Sequence, residues 1–379
     1  MTDLSERLAA RTERLVAIPS ESGNEAAMLE AVRAQLPHVL AVVDDEDAVL
    51  LALPARRPGA PMILLAGHVD TVPLGESAPG RRDGGRVLGR GAADMKGGIA
   101  VLLEVAEALA DGSLRSDIDV GLLCFGREEL PFAESALVPL FARRPEIRDS
   151  ALAIVLEPTG NALELGCLGN LNATVRFEGE AAHTARPWLG RNAIHAAVAA
   201  LGPVADLAVR DVDVGGLTYR EVASVTWIEG GIATNVVPPD AAGRVNLRYA
   251  PTRSPEEAER YLRELLAHPS ATVTIDGNAP PGNVPERNPL VDRLRTAGDL
   301  AVGPKQAWTP VAEFGLIGVD AVNFGPGDPQ YAHRDDERVE VDALVRSHDV
   351  LCAFLQGASA RAREEARAEA REEQGRGEA

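Results

Sequence analysis

A chain of 379 residues is longer than one hydrophobic core usually fills, so two domains, or one domain carrying a large insertion, are expected. With 45% hydrophobic and 25% charged residues it has the make-up of a globular protein, and no apolar run is long enough to span a bilayer. The formal charge of -19 speaks against a nucleic-acid partner, and the polar segment Met1-Thr2-Asp3-Leu4-Ser5-Glu6-Arg7 lacks the basic and apolar blocks of a secretory signal, which favours the cytoplasm.

Taken in order, residues 62–67, 117–125 and 151–156 are short apolar runs of strand length. Between the first two, residues 98–109 are apolar with a helical period, and Asp94 precedes them where a carboxylate faces a helix N-terminus. This alternation predicts an α/β fold with a mostly parallel sheet flanked by helices. Cys124, Cys167 and Cys352 are far apart in apolar surroundings, which suggests buried small side chains rather than disulfides or a thiolate metal cluster.

From about Asn170 the texture changes. Leu171, Ala173, Val175 and Phe177 alternate with polar residues, as in a sheet with one face in water. Helices at 192–201 and 255–267 and strands near 223–228, 243–249 and 271–275 continue this second, α+β unit, with Ser254 and Glu257 forming a capping box. The stretch 277–289 is rich in Pro, Gly and Asn and reads as the return to the first unit. The expected division is therefore 1–170 with 286–360, an insertion at 171–285, and a charged tail at 361–379 that reads as a solvated helix.

Polar residues follow or border the apolar runs at five places. His68 and Asp70 lie two apart at a strand end, where the carboxylate can orient the imidazole as a metal ligand. Glu128 and Glu129 are adjacent after another strand, where their like charges call for a neutralising metal. Neighbours on an extended chain point opposite ways, so one is expected to be a ligand and the other a general base. Glu157 sits at a strand edge closed by Pro158, and a Gly- and Pro-rich loop, 325–333, can return His333 over the sheet. With Asp94, these residues are the inventory of a two-metal hydrolase, all nitrogen and oxygen donors.

These runs, in their order and spacing, resemble the di-zinc amidohydrolase and peptidase family that includes aminoacylases, glutamate carboxypeptidase and desuccinylases. The resemblance implies a zinc-exopeptidase-like catalytic domain carrying an inserted lid and dimerisation domain, hence a homodimer acting on a small N-acyl amino acid. It implies that Asp94 bridges two Zn(2+) ions, with Co(2+) or Mn(2+) able to take their place. His68 and Glu157 would hold one ion, Glu129 and His333 the other, and Glu128 would be the general base, with Asp70 behind His68. His183, in Gly179-Glu180-Ala181-Ala182-His183-Thr184-Ala185-Arg186-Pro187, corresponds to a histidine that steadies the oxyanion across the dimer interface, and Arg186, Asn235 and Arg248 fall where the family contacts substrate.

The chain is most similar to the desuccinylase branch, on residues 166–170, 182–186 and 323–328. That branch cleaves an N-succinyl amino diacid, N-succinyl-LL-2,6-diaminopimelate, on the lysine pathway. Pro310 and Glu313 stand where those enzymes tend to have an aspartate and a carboxylate-binding arginine. A carboxylate in that position inverts the local charge, which predicts a pocket that takes a different acylated amino acid or peptide. Pairing of Glu313 with Arg334 would instead leave the pocket unchanged. The resemblance still implies first a metal-dependent hydrolase that cleaves the amide of N-succinyl-LL-2,6-diaminopimelate; the alternatives are an aminoacylase or peptidase of other specificity, and a binding protein that has kept the fold.

Overall fold

The computed structural model describes residues 3–75 and 80–357; the charged tail at 361–379 lies outside them. Eight strands form the central sheet in the order Leu40–Asp44, Val49–Pro54, Asp119–Phe125, Met62–His68, Leu152–Val155, Ala321–Asn323, Leu163–Leu165, Val302–Pro304. The middle of this sheet is parallel, with antiparallel pairings towards its first edge and between Ala321–Asn323 and Leu163–Leu165. Every residue of Met62–His68 and of Asp119–Phe125 is buried, because helices cover both faces and leave no solvated side on which alternation could appear.

Gly97–Ala110 is the helix read from the sequence, and its first ten residues are buried. It is apolar over most of its circumference because the sheet takes one side and the helix Leu4–Val16 packs over another, with Glu104 and Glu107 paired to Arg11 of that helix. On the opposite face of the sheet, Leu137–Arg143 and Val311–Leu316 enclose a second core around Phe125, Phe141 and Phe314.

The insert is a separate five-stranded antiparallel sheet in the order Arg210–Val214, Leu217–Gly230, Asp240–Tyr249, Gly169–Glu178, Ala271–Ala279. Leu171, Ala173, Val175 and Phe177 all face its core, against the helices Ala193–Ala205 and Pro255–Leu265. The capping box at Ser254 and Glu257 is formed, and Asn192 caps the other helix by accepting from the His195 N–H.

Two details depart from the sequence reading. The strand expected to stop near residue 275 continues to Ala279, with a bulge between Ile275 and Gly277 that lets it cross the glycine. The hairpin joining Arg210–Val214 to Leu217–Gly230 was not anticipated, although Gly215-Gly216, both at positive φ, is the two-residue turn that such a hairpin favours. Cys124 and Cys167 are buried thiols and Cys352 is half-buried, all unpaired. No described helix is long and apolar enough to cross a membrane.

Candidate active site

Met62–His68, Asp119–Phe125 and Leu152–Val155 are parallel neighbours, so the residues that follow each strand emerge at one edge of the sheet. His68 ends the first strand, Glu128 and Glu129 follow the second, and Glu157 follows the third. Asp94 lies in the turn Ala92–Lys96 before the buried helix, and His333 follows the short turn Pro329–Tyr331.

Asp94 presents one oxygen to each histidine: its Oδ1 lies 3.0 Å from His68 Nε2 and its Oδ2 lies 3.5 Å from His333 Nε2. His68 Nε2 is also 3.9 Å from Glu157 Oε1, and His333 Nε2 is 2.9 Å from Glu129 Oε1. Two three-donor groups result, His68–Asp94–Glu157 and Asp94–Glu129–His333, which share Asp94. A third group, His68–Glu128–Glu129, brings Glu128 to the same centre.

A pair of metal ions fits these donors. They are imidazole and carboxylate, suited to zinc, cobalt or manganese. Glu157 Oε1 is buried and makes no hydrogen bond, an orphan that a cation would satisfy.

Asp70 organises the site from behind. Its Oδ1 is 3.5 Å from His68 Nδ1, its carbonyl oxygen is 3.1 Å from the same nitrogen, and its carboxylate accepts the Ser22 hydroxyl. It also accepts the backbone N–H groups of Glu128 and Glu129, at 3.2 and 3.1 Å. One buried carboxylate thus fixes the His68 ring and the two-glutamate turn together.

Glu337 does the corresponding work for Asp94 and was not singled out from the sequence. It is 1% exposed, accepts the N–H groups of Ala93 and Asp94 at 3.1 and 3.0 Å, and pairs with Arg90 at 3.1 Å. The glycine-rich loop before His333 seats against the same turn: a Cβ on Gly327 would fall 2.2 Å from the Ala93 carbonyl oxygen, closer than any side chain can stand. Glu337→Ala is expected to weaken metal binding by about 10–100-fold while His68, Asp94 and His333 are all retained. Titration calorimetry checks this, and wild-type affinity would deny Glu337 its role.

Burial, joined by the Glu157, Glu129 and Asp94 carboxylates, pushes Glu128 well above the usual carboxylate range, with His68 opposing. Burial and the Asp94 charge raise Glu157 to about 7. Burial works against Asp94, yet hydrogen bonds from His333 and His68 hold it well below its ordinary value. Hydrogen bonds to Asp94 and Glu129 raise His333 to about 10. Carboxylates gathered in one enclosed place would be stabilised by cations beside them.

A cavity of about 340 Å³ opens over this centre, with Asp94, Glu128, Glu129, Glu157 and His333 in its wall. Arg248 lies in it, half-buried, its Nε–H donating to Asn246 Oδ1 and its charge disfavoured by burial. Lys305 is a second cation there that sequence reading missed: it is buried, donates to the Pro158 carbonyl oxygen at 2.7 Å and lies 3.0 Å from Glu164. Asn170, Asn172, Asn278, Trp308 and Thr309 complete a polar, partly aromatic lining.

Three expected residues lie elsewhere. His183, Arg186 and Asn235 are exposed, gathered where Ala182–His183 pairs with Val236–Val237, and they do not line the cavity of their own chain. His183 Nδ1 accepts the Ala185 N–H, and the Asn235 carbonyl accepts the Thr184 N–H.

Glu313 is a correction. It is 2% exposed within the core around Phe141 and Phe314, outside the cavity lining, and accepts a short hydrogen bond from the Ser135 hydroxyl. The expected contact with substrate is therefore not made, because the short helix Val311–Leu316 turns residues 311–314 all inward. Nor does Arg334 neutralise it, since Arg334 pairs with Asp336.

Burial raises the Glu313 carboxyl to about 7, against the Ser135 bond. Its folded value exceeds its unfolded one, so the fold takes up a proton between about pH 4.5 and 7 and loses stability as pH rises through that window. Glu313→Gln is therefore expected to gain on the order of 3 kcal/mol over wild type at pH 8, and much less at pH 5. Urea unfolding at the two pH values measures this, and equal differences would contradict it.

A profile of Peptidase family M20/M25/M40 matches residues 64–357. A protein of Mycobacterium tuberculosis assigned as a succinyl-diaminopimelate desuccinylase is 37% identical, over 91% of this chain and 97% of its own length. The succinyl-diaminopimelate desuccinylase of Corynebacterium glutamicum is 34% identical, over 91% and 95%. Among solved structures, a dinuclear metal-binding peptidase of the M20 family from Bacillus subtilis superimposes with a TM-score of 0.67 at 14% identity, over 93% of this chain and 97% of that one, which bears on the fold alone. Matched along most of its length by the family profile and by relatives above 30% identity, the chain belongs to the M20/M25/M40 peptidase family.

Proposed function

We propose that this protein is a metal-dependent desuccinylase that hydrolyses N-succinyl-LL-2,6-diaminopimelate to succinate and diaminopimelate. The observation that carries the reading is the Asp94 carboxylate turned with one oxygen to His68 and the other to His333, beside Glu128, in a chain similar to desuccinylases over nine-tenths of its length. Glu313 lies outside the cavity lining, so the carboxylate that the sequence set against an anionic substrate does not face it. Arg248 and Lys305 provide cations for substrate carboxylates.

His68, Asp94 and Glu157 would hold one ion and Asp94, Glu129 and His333 the other, with zinc as the proposed metal. When bound, the pair supplies Lewis acidity for a water molecule and for the amide carbonyl. Glu128, held by Asp70 through its own N–H, takes the proton of the attacking water at its carboxylate. The same carboxyl then gives that proton to the leaving amine. Asp70 keeps the His68 ring in one orientation throughout.

His183, Arg186 and Asn235 stand together on the insert and point the reading towards a homodimer, in which the partner's copies close over the substrate and donate to the developing oxyanion. A cytoplasmic location is part of the same proposal. The test is hydrolysis by the zinc-loaded protein of N-succinyl-diaminopimelate beside N-acetyl amino acids and dipeptides, with a chelator control. Chelator-sensitive preference for the succinyl substrate supports the reading. Preference for another amide makes the chain an aminoacylase or peptidase, and inactivity on all of them returns it to a binding role.

A further inference from the structure

We propose that Glu313 is a positioning residue: through Ser135 it fastens the pocket-wall segment of Leu130, Pro131 and Phe132 in place, and so sets affinity for substrate without touching it. The wall needs such an anchor. Its turn Phe132–Glu134 contains no buried residue, so it has little apolar packing of its own to hold it. Yet Leu130, Pro131 and Phe132 line the cavity directly after Glu128 and Glu129.

Two contacts tie this wall to the opposite one. The Ser135 hydroxyl donates to the buried Glu313 carboxylate while its oxygen accepts the Leu137 N–H at 3.0 Å, at the start of the helix Leu137–Arg143. Three residues earlier, the Phe132 ring meets Trp308 edge-on, with centroids 6.1 Å apart, and Trp308 in turn donates to the Pro280 carbonyl oxygen at 2.9 Å. Trp308 and Thr309 line the cavity from the segment that leads into the helix bearing Glu313. The two walls are thus latched by an aromatic contact between half-buried rings and by a part-buried hydrogen bond whose acceptor, Glu313, is closed to water, which strengthens that bond.

A loosened wall should act on binding more than on chemistry. The backbones of Glu128 and Glu129 are held separately, by Asp70, so the base and its neighbouring ligand stay in place when residues 130–135 move. Gln in place of Glu313 still accepts the Ser135 hydroxyl, whereas Ala does not.

The turnover part of the test rests on the proposed desuccinylase reading; its second part does not. Glu313→Ala and Ser135→Ala are expected to raise KM for N-succinyl-diaminopimelate about tenfold with kcat within about threefold of wild type, and Glu313→Gln to keep both near wild type. In the zinc-loaded enzyme, amide hydrogen exchange followed by mass spectrometry should quicken about tenfold in residues 130–136 of Glu313→Ala, and not in the central strands or in Glu313→Gln. Unchanged exchange at 130–136, exchange raised throughout the sheet, or equal effects of Gln and Ala would overturn the proposal. So would faster local exchange with an unchanged KM. Absence of turnover in wild type itself would speak against the desuccinylase reading only, and the exchange comparison would then decide on Glu313.

Discussion

Glu128→Ala is expected to lower kcat/KM by about 10²–10⁴-fold while leaving metal affinity within about threefold of wild type, and Glu129→Ala to lose metal as well as activity. The two residues are neighbours, and their backbones hang from the same Asp70 carboxylate. Their side chains part company. Glu129 lies 2.9 Å from His333 Nε2 and completes the group with Asp94, so removing it takes a donor from one ion. Glu128 shares a group only with His68 and Glu129, while His68 is already engaged with Asp94 and Glu157. Glu128 also lines the cavity beside the donors, where a carboxylate can take a proton from water and return it. Glu128→Gln separates the two roles further, since it keeps the size and a donor oxygen but cannot accept the proton. Metal content by mass spectrometry, calorimetric affinity and turnover are measured on all three variants. Equal metal loss at both positions would overturn the division of labour.

Asp94 and His333 lie in turns, but His68, Glu128, Glu129 and Glu157 were legible because each ends or follows a strand, and parallel strands bring their ends to one edge whatever the intervening helices do. Asp70 was legible for the same reason, two residues beyond His68. Glu337 was not. Its partners, the N–H groups of Ala93 and Asp94, are more than 240 residues away in sequence, and only the closing of the small sheet Arg338–Glu340 with Arg86–Leu88 brings it there. Lys305 escaped likewise: its reach to Pro158 depends on Val302–Pro304 pairing with Leu163–Leu165, a non-local register.

Glu313 shows how a residue-by-residue carry-over can fail. A carboxylate set where relatives are expected to bind a carboxylate reads as a changed specificity. On the folded chain that side chain turns into the apolar core and meets a serine hydroxyl instead. A helix of six residues has too little period to reveal which side faces in. The end of the insert's last strand was misjudged for a simpler reason: Gly277 reads as a breaker, and a bulge let the strand run past it.

Asp94→Ala is expected to have the larger effect on metal, weakening both ions by about 100-fold or more and removing activity with them. Each of the two donor groups contains Asp94, and no other residue belongs to both. Loss of His333 or Glu157 removes a donor from a single ion, so the remaining group can still fill. Loss of Asp94 reduces both groups to two donors and also leaves His68 and His333 without the carboxylate that faces them at 3.0 and 3.5 Å. Calorimetry should therefore read one weakened site in His333→Ala and two in Asp94→Ala. Asp94→Asn should fall between them, since the amide oxygen can serve one side while its NH₂ turns a donor towards the other. The fold itself is expected to persist, because the Ala93–Asp94 turn is fastened through its backbone N–H groups to Glu337 and not through the Asp94 side chain. If Asp94→Ala retained two ions at wild-type affinity, the shared carboxylate would not be the bridge, and the centre would have to be rebuilt around the His68–Glu128–Glu129 group.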